Sequence, residues 1–372
     1  MTQNMALWLS AKRAEMQVGP APVPQPQAGE IVIRVRAVAV NPFDRLIQTA
    51  GEIMVPYLSY PAVIGSDVAG DVVAVGEGVR RFAIGDRVVG YAAGSDKARN
   101  RASEGAFQLY VVLLEHMTSP IPPKLSCENA AVLPLALCTA ASALFQRDFL
   151  ALPAPERAAP RSGKTVLVWG GSTSVGVNAI QLAVAAGYEV VATASPHNFA
   201  YLKQLGAKAV LDYRSRTIVA DMIETLRAQE MAGAIAIGAG SSAPSIEVIG
   251  NTKGRRFVAL ATPPAAFDHV PRGTGHWQKI IPVLAGVATG NSALKLHALR
   301  HGVRTKFIWG SAIVSNEVGP MIFRDFLPKA LADGAYIAAP LAQTAGHGLD
   351  AIPMAFEQQK RGVSAAKIVV TL

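Results

Sequence analysis

The spacing of apolar residues changes character once along this chain, near Asn129. Before that point the pattern is that of short strands. Over 31–40, IVIRVRAVAV, Arg34 and Arg36 alternate with β-branched and small apolar residues, the two-residue period of a strand. Segments 68–79 (VAGDVVAVGEGV) and 85–92 (GDRVVGYA) are further strands punctuated by glycine turns. The Pro-rich stretch 19–30, GPAPVPQPQAGE, cannot supply ladder donors and reads as a surface loop. Short strands separated by Gly and Pro turns predict a compact β-barrel-like domain over the first 130 residues or so.

Beyond Asn129 the runs lengthen. NAAVLPLALCTAASALFQRDFL (129–150) is apolar and rich in helix formers, and LPAPERAAPRSG (152–163) is a loop. Then come TVLVWGG (165–171), YEVVATAS (188–195), AVLDY (209–213), AGAIAIGAG (232–240), RRFVALAT (255–262) and VRTKFIWGS (303–311). Most gaps between them carry helical periodicity, although 263–302 is longer and less regular. Fully apolar strands alternating with helices predict a doubly wound α/β fold, a parallel sheet covered on both faces. The tail from about Asn316 holds a helix (351–362) and a last strand, KIVVTL.

The sharpest local signal is TVLVWGGSTSVGVNAIQLAVAAG, residues 165–187. It is a buried strand, a glycine turn, then a helix with apolar Val175, Ile180, Leu182 and Val184, stopped by Gly187 at its C′ position. This is the first strand-to-helix turn of a Rossmann dinucleotide fold, where N–H groups at a helix N-terminus receive a pyrophosphate. Gly171 is expected to permit the tight turn, and Gly176 the close packing of helix on strand. The middle glycine of G-x-G-x-x-G is here Thr173, whose hydroxyl can bond a phosphate oxygen, as can those of Ser172 and Ser174. Serine- and glycine-rich turns join many strands to helices; the repeated alternation around this one sets it apart.

The end of the second strand indicates the cofactor. An NAD site places Asp or Glu there, about 20 residues past the turn, to bind the ribose 2′-hydroxyl. This chain has Ser195, followed by Pro196, His197 and Asn198; Lys203 lies one to two helical turns on, and Tyr213 ends the third strand. No carboxylate repels a 2′-phosphate and several donors are available, which points to NADPH. Taken singly, Ser195–Pro196 is a helix start, Lys203 a solvated helix face and Tyr213 a core edge. The missing acid has no such explanation.

Composition narrows the class. A chain of 372 residues suggests two domains, and 51% hydrophobic with 16% charged residues excludes a disordered protein. No apolar stretch is read as approaching the roughly 20 residues of a membrane span, and MTQNMALWLSAKRAE reaches charge too early for a secretory signal. Cys127 and Cys138 read as two buried thiols in a reducing, cytoplasmic setting. The net charge of +9 is dispersed, with its densest groups at Lys97–Arg101 and Lys295–Lys306, which argues against nucleic acid as a partner. It is a solvated basic surface, or a field that favours anionic ligands such as a 2′-phosphorylated cofactor or a CoA- or carrier-linked substrate.

With these residues in hand, the chain resembles the medium-chain dehydrogenase/reductase superfamily over nearly its whole length, and within it the zinc-free quinone oxidoreductase and enoyl reductase branch. GGSTSVG, SPHN and DYR are similar to motifs of the fungal trans-acting enoyl reductases that serve polyketide synthases. NPFD (41–44), PAVIGSDVAG (61–70), GDRVVGY (85–91) and LPLALCTAASAL (133–144) fall at the family's places. The resemblance implies a β-rich GroES-like catalytic domain over 1–128 and 316–372, and a Rossmann NADPH-binding domain over 129–315. It also implies that Asp44, Gly170, Leu260 and Val363 belong to the cofactor's surroundings.

Zinc members of that superfamily carry Cys at or beside Asn41, and His-Glu where Ser66-Asp67 stand here; a structural-zinc lobe needs four close cysteines, and this chain has two. Among the histidines (116, 197, 269, 276, 297, 301 and 347), only His297 and His301 have helical ligand spacing, and no acid or thiol accompanies them. No zinc is expected. The implied chemistry is hydride transfer from NADPH to the β-carbon of an activated double bond, or to a quinone. The protein then has to orient the reactants and stabilise negative charge developing on the substrate oxygen. Asn41, donating from its amide, and Thr139 match positions lining the nicotinamide pocket; Tyr57 lies in the loop from which some relatives donate the proton. Asn41 before Pro42 is also a natural turn residue, and Thr139 can bond a backbone carbonyl. Leu46 stands where some enoyl reductases have Lys, which argues against a mechanism relying on that lysine. The rivals are an alcohol dehydrogenase, against which the missing zinc ligands argue, and a non-catalytic NADPH- or nucleic-acid-binding protein. The expected partner is a small-molecule substrate, with no membrane, and relatives occur as monomers and as homodimers.

Overall fold

The computed structural model describes residues 3–263, 265, 267 and 270–372, so His269 lies outside the described residues. The chain forms two units: Met1–Leu135 with Phe267–His276 and Val314–Leu372, and Ala136–Ala266 with Trp277–Ile313. The first border falls after Leu135 rather than after 128, at the start of the helix Pro134–Phe145. Segment 267–276, which the pattern assigned to the second unit, groups with the first.

The first unit is strand-rich. A three-stranded antiparallel sheet has the order β2-β1-β4, from β1 (Asn4–Leu9), β2 (Met16–Ala21) and β4 (Ala62–Val63). Here the Pro-rich stretch departs from its reading as loop, because its first residues are strand: Met5 pairs with Pro20. Proline is tolerated because β2 lies at the sheet edge, where its missing N–H costs no ladder bond. The Pro20 carbonyl accepts from Trp8 Nε1 at 3.1 Å. The larger sheet uses β3 (Glu30–Ala39), β5 (Asp67–Val75), β6 (Arg87–Tyr91) and β8 (Thr118–Pro120) in that order. β7 (Tyr110–Leu114) pairs with the start of β3, and the C-terminal strand Ala366–Thr371 with its end. Arg34 and Arg36 are the exposed positions of β3 among buried neighbours, as the alternation predicts.

The second unit holds a parallel sheet in the order β11-β10-β9-β12-β14-β15. Its strands are β9 (Lys164–Trp169), β10 (Glu189–Ala194), β11 (Ala209–Asp212), β12 (Glu230–Ala236), β14 (Phe257–Leu260) and β15 (Arg304–Phe307), with the short β13 (Lys253–Gly254) beside β12. Leu167, Val191, Ala234 and Val258 of neighbouring strands pack with Met222, Leu226, Ile246 and Ile249 of the crossover helices. Each of the larger side chains contributes roughly 1.5–3 kcal/mol on burial, and with helices on both faces these strands are apolar throughout rather than alternating. Segment 263–302, irregular by pattern, carries the long helix His276–Arg300 with Pro282 inside it.

Cys127–Phe145 corrects one expectation. Its 19 residues have the length and apolar character of a span, but they break into Cys127–Ala131 and Pro134–Phe145 and are mostly buried within the protein. Cys127 and Cys138 are free, buried thiols.

Candidate active site

The strand order of the second unit reverses direction between β9 and β12, and ligands of open α/β sheets bind outside the strand ends at that point. The turn after β9 is built for close approach. Gly170 sits at φ +88°, and a Cβ there would lie 2.5 Å from the Ile237 carbonyl oxygen. The left-handed turn therefore belongs to Gly170. Gly171 is small for packing, since a Cβ would meet Leu202 Cδ1 at 2.8 Å. A Cβ on Gly176 would lie 2.3 Å from the Gly170 carbonyl oxygen, so helix and turn meet as the motif requires. Thr193 of β10 pins the turn: the Gly170 N–H donates to its hydroxyl at 3.0 Å and the Gly171 N–H to its carbonyl at 2.8 Å. Sequence reasoning passed over Thr193, which looks like any buried strand residue.

Thr173 has a different role from the one expected. It is the N-cap of the helix Ser174–Ala185: its hydroxyl accepts from the Gly176 N–H at 3.0 Å and donates to the Gly170 carbonyl at 2.8 Å. Its one proton is spent inside the turn rather than on a phosphate. Ser174 and Val175 follow as the first helical residues, whose N–H groups have no partner within the helix. Ser172 is half-buried in the turn itself. The helix ends as read, with Gly187 at φ +86° and its N–H on the Val184 carbonyl.

At the ends of β10 and β11, Ser195, Tyr213 and Arg214 come together. Hydrogen bonds from Ser195 and then Arg214 hold the Tyr213 phenol below its usual pKa, the Arg214 contact running from Nε at 3.3 Å. Arg214 was passed over although DYR was quoted as a motif; an arginine next to the strand end was the available signal. The neighbouring acid, Asp212, turns back onto the Arg214 amide at 3.0 Å. Ser195 and Asn198 are buried, while His197 and, on the helix Phe199–Gln204, Lys203 are exposed. Leu260 closes β14, its carbonyl held by the Ile308 N–H. Thr139 packs against Gly310, where a Cβ would lie 2.6 Å from its hydroxyl.

Asn41, Asp44, Tyr57 and Val363 belong to the first unit. Asn41 precedes the helix Pro42–Met54, and its N–H donates to Asp44 Oδ2 at 2.9 Å. Its side-chain Nδ2 donates to Asp67 Oδ2 at 2.9 Å and leans on Asp44 Oδ2 at 3.4 Å. The amide N–H that Asn41 was expected to offer a substrate is thus donated to Asp67 within the protein. Burial, and then the nearby charge of Asp67, raise the Asp44 carboxyl to about 7. Asp67 also accepts from the Leu135 N–H at 2.6 Å and pairs with the buried ammonium of Lys367. Lys367, a charge inside the apolar run KIVVTL, was legible as an oddity but was not singled out. The Tyr57 hydroxyl donates to the Ser95 carbonyl at 3.2 Å, and burial, then Asp96, raise its pKa. Val363 is exposed in the turn before the last strand.

Residues 27–123 match the alcohol dehydrogenase GroES-like domain family. Over the full length of both proteins the chain is 50% identical to the dehydrogenase PigH of Monascus ruber. It belongs to the medium-chain dehydrogenase/reductase superfamily. Another relative in this superfamily, the trans-enoyl reductase HimH of Aspergillus japonicus, is 36% identical over 99% of this chain and 97% of its own. An alcohol dehydrogenase superfamily protein from Novosphingobium aromaticivorans shares the fold, with a TM-score of 0.71 at 23% identity and full coverage of both chains. The GroES-like domain and the parallel nucleotide-binding sheet expected from the sequence are thus both present, and the chain is an oxidoreductase of this superfamily. Members bind nicotinamide cofactors, and the glycines at Gly170–Gly176 let the turn pack closely into the start of the helix Ser174–Ala185.

Proposed function

We propose that this protein is a zinc-independent, NADPH-dependent reductase acting on an activated C=C bond, in an enone or enoyl thioester, or on a quinone. The observation that carries the cofactor choice is the cluster Ser195–Tyr213–Arg214 at a strand end without a ribose-binding acid. A guanidinium and hydroxyls there recognise a 2′-phosphate, which a carboxylate would repel. His197, Asn198 and Lys203 add donors and charge beside it. The N–H groups of Ser174 and Val175, with the Ser172 and Ser174 hydroxyls, hold the pyrophosphate. Once bound, the nicotinamide supplies the hydride.

The residues of the first unit orient the acceptor. Tyr57, whose hydroxyl rests on the Ser95 carbonyl, is the proton donor in this reading. Thr139, which belongs to the second unit, contributes a hydroxyl in this reading. The acceptor class draws support from the trans-enoyl reductase relative. A screen of NADPH and NADH oxidation against quinones, enones and enoyl thioesters tests the reading. Turnover of at least one class with preference for NADPH is expected; no turnover on any of them rejects it.

A further inference from the structure

We infer that Thr262 is a positioning residue for cofactor binding: its hydroxyl fixes the Ile237–Gly238 backbone, which forms one wall of the Gly170 turn. The inference rests on the dinucleotide site proposed above.

The two central strands of the parallel sheet, β9 and β12, end in turns of the same build. Each opens on a glycine in the left-handed region, Gly170 at φ +88° and Gly238 at φ +92°. Each glycine N–H donates to a threonine hydroxyl from the next strand outward. Gly170 donates to Thr193 of β10 at 3.0 Å, and Gly238 to Thr262, just past β14, at 2.8 Å. Each glycine carbonyl accepts from a hydroxyl three residues on, that of Thr173 at 2.8 Å and that of Ser241 at 2.7 Å. Thr262 does for the second turn what Thr193 does for the first.

The two turns also touch. The Ile237 N–H donates to the Trp169 carbonyl at 3.0 Å, and the Ile237 carbonyl oxygen lies 2.5 Å from where a Cβ on Gly170 would be. Gly170 is thus tied by Thr193 on one side and walled by Ile237 on the other. The Ala261 N–H bonds the Ala236 carbonyl at 2.9 Å, and the Thr262 hydroxyl carries that connection beyond the strand to Gly238. Without the hydroxyl, the half-buried Gly238 N–H loses its acceptor and the backbone against Gly170 is free to shift. The pyrophosphate held at that turn is common to NADPH and NADH, unlike the 2′-phosphate met at Ser195, Tyr213 and Arg214.

The test uses the full chain, as wild type and as the variants Thr262→Val, Thr262→Ser and Thr262→Cys, with melting temperature and the dissociation constants of NADPH and NADH by fluorescence titration. Thr262→Val keeps the side-chain shape and removes the acceptor. It is expected to weaken both cofactors by the same factor, about 3- to 10-fold, the equivalent of one lost hydrogen bond. Thr262→Ser keeps the oxygen and is expected to bind both as wild type does. A folded valine variant with wild-type affinity for both cofactors overturns the inference and makes Thr262 a structural tie. So does a loss confined to NADPH, or a serine variant as weak as the valine one. Should the valine variant not fold, Thr262→Cys decides: its sulfur accepts weakly and at a longer distance, and wild-type affinity there overturns the inference equally. A wild type that binds neither cofactor is a separate result, which removes the dinucleotide reading itself.

Discussion

Arg214 meets Tyr213 in two ways: its Nε donates to the phenol oxygen at 3.3 Å, and its guanidinium lies 5.3 Å from the ring centroid. The pair sits at the end of β11, beside Ser195 at the end of β10. Arg214 is solvent-facing, so its charge is available to a ligand. Arg214→Ala is expected to weaken NADPH binding about tenfold or more while leaving NADH binding unchanged. Fluorescence titration with both cofactors reads the outcome, and equal losses for the two would place the 2′-phosphate elsewhere.

Ser195→Asp tests the same place from the other side. A carboxylate at the strand end repels the 2′-phosphate and gives the NADH ribose an acceptor. NADPH affinity is expected to fall on the order of 10²-fold, as two lost charged hydrogen bonds would give, while NADH affinity holds or improves. A variant that retains NADPH affinity counts against the strand-end assignment.

Thr173 is a cap, and its loss should appear first in stability. Thr173→Val removes the oxygen that accepts from the Gly176 N–H and should destabilise the protein by about 1 kcal/mol. Thr173→Ser keeps the oxygen and should restore the difference. Urea unfolding of the three proteins measures it; a valine variant as stable as wild type would remove the cap from the account.

Asp44 makes stability fall as pH rises. Its carboxyl is raised from 3.8 to about 7 in the folded protein, by burial first and the Asp67 charge second. Below about pH 4 both states hold the proton and Asp44 contributes nothing. Between pH 4 and 7 the unfolded chain releases it and the folded one retains it, so stability declines and the full cost is reached above 7. Asp44→Asn carries no proton to lose. Relative to that variant, wild type should lose about 2–3 kcal/mol between pH 5 and pH 8 in urea unfolding. A constant gap between the two proteins would show that Asp44 does not titrate in this window.

Metal content is the simplest measurement. Where zinc relatives carry His-Glu, this chain has Ser66 and an Asp67 committed to Lys367, and among the described residues no group of three His, Cys, Asp or Glu could hold a metal ion. The purified protein is expected to contain no stoichiometric zinc and to keep its activity in chelator. One zinc per chain, lost together with activity, would contradict the proposal.

The sequence by itself determined the elements and their order, because period and turn chemistry are local. Apolar runs such as TVLVWGG can only be covered strands, and the Gly170–Gly176 turn followed by a helix stopped at Gly187 is written within 23 residues. The tail helix and last strand were legible for the same reason, whereas the Pro-rich stretch misled because only pairing shows that Pro20 stands at a sheet edge. Tertiary structure decided where polar groups spend their hydrogen bonds. Whether Thr173 turns its proton to a phosphate or to the Gly170 carbonyl depends on the path of the turn, not on residue type. The Asn41 amide is oriented by Asp67, 26 positions on, and Asp67 is neutralised by Lys367, 300 positions further. A contact of that separation leaves no periodic trace in the chain. It exists only because β3 lies between two strands that carry opposite charges into the same dry interior.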